Sequence, residues 1–203
     1  MISLVDYGVA NLGSMRNMLR RIGAETELVT TADGIAKASK VILPGIGAFD
    51  HGMEALHNLG LVEALRRRVL GDGVPFFGVC LGAQLLGESS AEGKRPGLGL
   101  VPSRCERLPA DGDAGIRVPH MSWAQIEPTR PDPILGGLDE KARFYFVHSY
   151  HVVCSDPVDV LAIAHYGIPF TAMGRRGNIY GAQFHPEKSH RFGMQLLTNF
   201  LEL

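Results

Sequence analysis

Three short stretches of the chain hold residue types and spacings that do covalent chemistry: Gly78-Val79-Cys80-Leu81-Gly82, His185-Pro186-Glu187 and Pro44-Gly45-Ile46-Gly47. The first has the spacing of a nucleophile elbow, with a thiol as the nucleophile. Flanking glycines permit a strained turn and leave room for a substrate beside the sulfur. The apolar run VPFFGV precedes Cys80 and the helix-like run LGAQLLGE follows it. The thiol is therefore expected at the carboxyl end of a strand, where the dipole of the following helix favours thiolate. The competing reading is a small buried cysteine in a strand–helix junction.

An acylating thiol needs a base, and the base needs an orienting group. His185 and Glu187 lie two apart at the end of the strand-like run IYGAQF, so extended chain puts them on one side. A carboxylate on one imidazole nitrogen fixes the tautomer, and Pro186 stiffens the link. The other seven histidines lack such a pairing. His51, His57 and His190 read as helix or loop surface, while His120, His148, His151 and His165 fall in or beside strands. The Gly45–Gly47 loop exposes backbone N–H groups that could meet a developing oxyanion; a plain tight turn is the alternative. Gly8-Val9-Ala10-Asn11-Leu12-Gly13 is one substitution from a dinucleotide fingerprint, and reads chiefly as a strand-to-helix turn.

These residues need a scaffold, and the first half of the chain supplies alternating strands and helices. Strands are expected at 2–7, 25–29, 40–45 and 74–79. Helices are expected after Asn11 (Leu12, Met15, Leu19 and Ile22 on one stripe), over 61–70 and over 81–88. That alternation predicts an α/β fold: a flavodoxin-like, mostly parallel sheet with helices on both faces. Past about residue 95 the chain becomes strand-rich, with strands expected within 98–108, 116–127, 143–153, 159–166 and 179–184. A final helix is expected with Phe192, Leu196, Phe200 and Leu203 on one stripe. No linker or repeat divides residues 1–203, so one domain is expected.

Composition excludes several classes. A net charge of −1 gives no pull toward nucleic acid or a membrane surface. No apolar run nears the roughly 18–20 residues of a membrane helix, and the first residues lack the form of a signal peptide. Three cysteines, odd in number and never paired as C-x-x-C, argue against a disulfide framework and a zinc site. A reduced, cytoplasmic protein is the expectation. Arg66-Arg67-Arg68 reads as a solvated helix face.

Taken in order, DYGVANLGSM, LPGIGAFDHGM, GVCLGAQLL, GLGLVP, VPHMSW, FYFVHSY and QFHPEKS resemble the class I, triad-type glutamine amidotransferases nearly end to end. Within that family they are most similar to the glutaminase subunits of imidazole glycerol phosphate synthases, of histidine biosynthesis. The resemblance implies hydrolysis of L-glutamine to glutamate and ammonia. Cys80 is then the nucleophile, His185 the proton carrier and Glu187 its orienting group. It implies backbone at Gly47 and Leu81 for the oxyanion, and Gln84 and Glu92 for the amino-acid end of glutamine. It places Trp123, Tyr145 and Lys188 toward a heterodimeric (β/α)8-barrel cyclase that receives the ammonia, and implies no cofactor or metal. The family usually reads H-[MI]-G-W-N where this chain has His120-Met121-Ser122-Trp123-Ala124, and Gly and Arg where it has Ala10 and Gly13. A paralogue feeding a sugar-modifying amidotransferase, a stand-alone cysteine hydrolase and a nucleotide-binding module are the alternatives.

Overall fold

The computed structural model describes residues 1–109 and 116–203. The order begins β1 (Ile2–Val5), α1 (Leu12–Arg21), β2 (Thr26–Val29), α2 (Ala32–Lys37), β3 (Val41–Gly45), α3 (Phe49–Asn58), α4 (Leu61–Arg66), β4 (Phe76–Cys80) and α5 (Leu81–Gln84). It continues through β5 (Ser89–Ser90), β6 (Ser103–Arg107), β7 (His120–Gln125), β8 (Glu127–Pro128), β9 (Arg143–His148), β10 (Tyr150–Cys154), β11 (Val160–Tyr166), β12 (Ile168–Arg176), β13 (Ile179–Ala182) and α6 (His190–Glu202).

The main sheet runs β2-β1-β3-β4-β13-β12-β10-β6-β5. Strands β2, β1, β3, β4 and β13 are mutually parallel, and β12, β10 and β6 continue the sheet antiparallel. Successive residues of the central strands point to opposite, equally apolar faces. Ile42, Phe77 and Tyr180 meet Met15 and Leu19 of α1 and Leu196 and Phe200 of α6. Their neighbours Leu43, Phe76 and Ile179 meet Met53, Leu61 and Leu65 of α3 and α4. Both faces are thus buried, which a parallel sheet requires. Among the described residues no helix is long and apolar enough to cross a membrane.

Several expectations need correction. The helix after Cys80 spans four residues rather than eight. Its continuation is captured laterally: Leu98 N–H bonds Leu85 O, Leu100 N–H bonds Leu86 O, and Glu88 N–H bonds Ser103 O. Strand β12 lies where the sequence predicts no strand, since Pro169 and Gly174 interrupt its pattern; its hairpin with β11 turns at Gly167, φ +70°. Helix α4 passes into a π-helical turn over Arg67–Gly71. Arg66 and Arg68 do not simply face solvent: Arg66 Nε donates to Leu98 O (2.7 Å) and Arg68 Nε to Ala38 O (2.8 Å). Leu203 lies past the end of α6 and is exposed, so the buried stripe is Leu196, Leu197 and Phe200. Lys40 Nζ donates to Phe200 O (3.2 Å) and to Leu201 O, supplying a cation to carbonyls that the helix end leaves unpaired.

Candidate active site

Cys80 is the last residue of β4, aligned with Gly45 at the end of β3. Its backbone has φ 54° and ψ −111°, a conformation that L-residues adopt only when the surroundings impose it. Those surroundings are close backbone contacts made through the glycines. A Cβ on Gly78 would lie 2.6 Å from Gly82 O, and one on Gly82 would overlap Leu43 O. The glycines of the elbow therefore serve the approach of α5 to the strands, rather than clearance for substrate around the sulfur. A four-residue helix also has little dipole, so the helix contribution expected at the sulfur is small.

The next strand in the sheet brings a titratable pair toward the sulfur. β13 lies parallel to β4, pairing Ala182 with Val79, and the chain leaving its end carries His185 and Glu187. His185 N–H donates to Tyr145 O (2.9 Å), tying that segment to β9. Ser189, which is fully buried, donates its hydroxyl to His185 O (2.6 Å) and accepts Tyr145 N–H (3.1 Å). No sequence signal singled out Ser189. His185 Nδ1 and Glu187 Oε1 are 2.7 Å apart, with side chains only 2% and 5% exposed. Nδ1 is thus occupied, and Nε2 is sealed from solvent without a hydrogen bond of ordinary geometry. Burial alone would push the imidazole down; Cys80 and Glu187 outweigh it and carry His185 up to about 9. The other two thiols are unsuited to chemistry. Burial pushes Cys105 up to about 12 and Cys154 up to about 11.

An open pocket of about 450 Å³ is lined by Cys80, His185, Gly47, Leu81, Gln84 and Glu92. Glu187 stands behind His185. Gly47 takes φ +97°, but the donor before it is engaged: Ile46 N–H bonds Val9 O at 2.9 Å. The loop donor at Ile46 is therefore turned from the sulfur in this state. Gln84 spends its amide nitrogen on Tyr150 O (2.9 Å) and Gln183 Oε1 (3.1 Å), which leaves its carbonyl oxygen as the group to meet a ligand. Glu92 accepts Phe49 N–H at the start of α3 (2.9 Å).

Sequence reasoning missed the back wall. Ser122 Oγ and His120 Nε2 lie 2.8 Å apart, His120 Nδ1 and His148 Nε2 3.2 Å, and His148 Nδ1 and Tyr150 O 2.9 Å. A carbonyl only accepts, so each tautomer follows: His148 donates from Nδ1, His120 donates to His148, and Ser122 donates to His120. Burial holds both rings neutral, pushing His120 down to about 4 and His148 to about 3. The chain of bonds ends on the carbonyl that also fixes Gln84.

Trp123, Tyr145 and Lys188 gather on another face. Trp123 pairs with Tyr145 across the β7–β9 ribbon, and Lys188 Nζ lies 5.8 Å from the Tyr145 ring. Trp123, 40% exposed, stacks on His190 with ring centroids 5.4 Å apart and planes within 3°. The Tyr145 backbone holds His185, so this surface is one residue removed from the pocket.

Residues 3–203 match the family model "Glutamine amidotransferase class-I". The chain is 50% identical over 203 residues to a Pseudomonas aeruginosa protein named imidazole glycerol phosphate synthase subunit HisH 2, covering all of both chains. It is 46% identical over 204 residues to the subunit HisH of Bdellovibrio bacteriovorus, again covering all of both. Among solved structures it resembles a glutamine amidotransferase with a TM-score of 0.75 at 23% identity, covering 100% of this chain and 98% of that one. A glutamine amidotransferase of Thermotoga maritima gives a TM-score of 0.67 at 17% identity, covering 99% of this chain and 96% of that one.

Proposed function

This chain belongs to the class-I glutamine amidotransferase family, and from that membership we propose that it is the glutaminase subunit of an imidazole glycerol phosphate synthase. It hydrolyses L-glutamine to glutamate and passes the ammonia to a (β/α)8-barrel cyclase. The observation that carries the reading is the meeting of Cys80 with the 2.7 Å His185–Glu187 pair in one pocket. The full-length relatives named HisH support the pathway.

In the first half-reaction the Cys80 thiolate adds to the carboxamide carbon, and the carbonyl oxygen becomes an oxyanion held by backbone N–H groups at Leu81 and the 46–47 loop. With its pKa near 9, His185 carries a proton at neutral pH. It gives that proton to the departing nitrogen, so ammonia leaves and a glutamyl thioester remains. The imidazole, now neutral, takes a proton from water as the water oxygen adds to the thioester carbon. The C–S bond breaks, restoring the thiolate–imidazolium pair and releasing the new carboxylic acid, which becomes glutamate by giving its proton to solvent. Glu187 stabilises the imidazolium throughout. Gln84 Oε1 and the Glu92 carboxylate are acceptors suited to the substrate's ammonium group. Trp123, Tyr145 and Lys188 face the cyclase.

The test is glutamine hydrolysis by the purified chain, alone and with the barrel partner plus its ribulosyl nucleotide ligand. Turnover is expected to be weak alone, to rise strongly with both, and to vanish in Cys80→Ala. A pair that hydrolyses no glutamine under those conditions refutes the histidine-pathway reading.

A further inference from the structure

We propose that the Tyr7 hydroxyl is a positioning group for the oxyanion loop, donating to the Gly45 carbonyl when the Gly45–Ile46 peptide turns its N–H from Val9 toward Cys80. The inference rests on the glutaminase reading and names a residue that reading does not use.

Tyr7 follows β1 and is 3% exposed. Its Oη is sealed from solvent and has no hydrogen-bond partner among the described residues. A buried hydroxyl without an acceptor is a standing cost to a fold, and such groups are rare. Its position suggests what offsets that cost. A Cβ built on Gly45 would collide with this hydroxyl, and the same Cβ would lie 3.0 Å from both Gly82 N and Leu81 Cβ. The phenol oxygen therefore occupies the space over Gly45 left by its absent side chain, between the loop and the start of α5. Burial, and then the charge of the Cys80 thiolate, raise the phenol pKa far above its ordinary value, so Tyr7 remains a donor.

The peptide beside it has the wrong orientation for oxyanion work, since Ile46 N–H is spent on Val9 O. Within one peptide plane the N–H and C=O point in opposite directions. Turning the Ile46 N–H toward the sulfur therefore swings the Gly45 carbonyl to the side the N–H has left. There it meets another acceptor, the Val9 carbonyl, and a donor is needed to make the turned state tolerable. Tyr7 lies two residues before Val9 in the same turn and holds an unspent O–H against Gly45. The hydroxyl is unsatisfied in the resting state and satisfied in the turned one, so it biases the equilibrium toward the turned loop.

The test is Tyr7→Phe in the full chain assembled with its barrel partner, read in three ways. Glutaminase kcat is expected to fall about three- to tenfold, the population lost with one neutral hydrogen bond, while KM for glutamine holds. The Tm is expected to hold or to rise by a few degrees, because the variant removes an unpaired buried polar group. Hydrogen exchange at the Ile46 amide is expected to slow by the same factor as kcat. Unchanged kcat, unchanged Ile46 exchange, or a fall in kcat that comes with a lower Tm each overturns the proposal. If the wild-type assembly itself hydrolyses no glutamine, the glutaminase reading fails, and Ile46 exchange still decides the role of Tyr7.

Discussion

Replacing Cys80 by alanine and, separately, by glycine isolates the strain stored at the elbow. Both variants lose the thiol and differ by one methyl group at a position with φ 54° and ψ −111°. Holding a residue with a Cβ in that region costs about 1–3 kcal/mol. Glycine relieves the cost but loses about 0.4–1 kcal/mol through the greater freedom of the unfolded chain. The methyl contact given up at this nearly buried site offsets a further part of the gain. The net expectation is that Cys80→Gly is more stable than Cys80→Ala by about 1 kcal/mol. For a chain of this size that is about 2–4 °C in Tm. Thermal melts of the two proteins, followed by circular dichroism at one pH, measure the difference. If Cys80→Gly melts at or below Cys80→Ala, the elbow stores no strain and the glycine-lined approach of α5 does not force the backbone geometry of Cys80.

The raised His185 pKa sets a window with a definite sign. The unfolded group titrates near 6.5, so its stabilisation is fully present below that pH and is lost as pH rises through about 9. Urea denaturation between pH 6 and 10 should show this slope in the wild type and lose it in His185→Asn; identical slopes would contradict it. Turnover should likewise decline above about pH 9, and Glu187→Gln, which keeps an acceptor but removes the charge, should move that limb to lower pH. Gly82→Ala would press a methyl group into the Leu43 carbonyl and should cost about 1–3 kcal/mol, or about 2–12 °C in Tm. A melt within a degree of the wild type would show that α5 does not need the close approach.

Much of the fold was legible because its signals are local. Strands such as Val41–Gly45 and Phe76–Cys80 are apolar on consecutive residues, which marks burial on both faces, and α1 shows its stripe and its Asn11 cap, whose side chain accepts Ser14 N–H. What escaped depends on distant partners. The helix after Cys80 ends early because residues 97–101 take its backbone, and Arg66 and Arg68 find carbonyls more than 25 residues away. The unexpected strand β12 has weak local patterning and is held by β11 and β13 on either side.

The candidate site divides the same way. The sequence by itself determined the chemical types and their spacing: a thiol between two glycines, an imidazole two residues from a carboxylate, and a glycine loop at a strand end. These patterns are short enough for neighbouring residues to define. Only the tertiary structure decided that Cys80 and His185 share a pocket, because the parallel pairing of β4 with β13 aligns their strand ends. Only the tertiary structure turned the elbow glycines into packing contacts, joined Ser122, His120 and His148 into one directed chain, and left the Tyr7 hydroxyl unpaired over Gly45. Electrostatics and hydrogen bonding act across space, over a few ångströms, and separation along the chain does not record that distance.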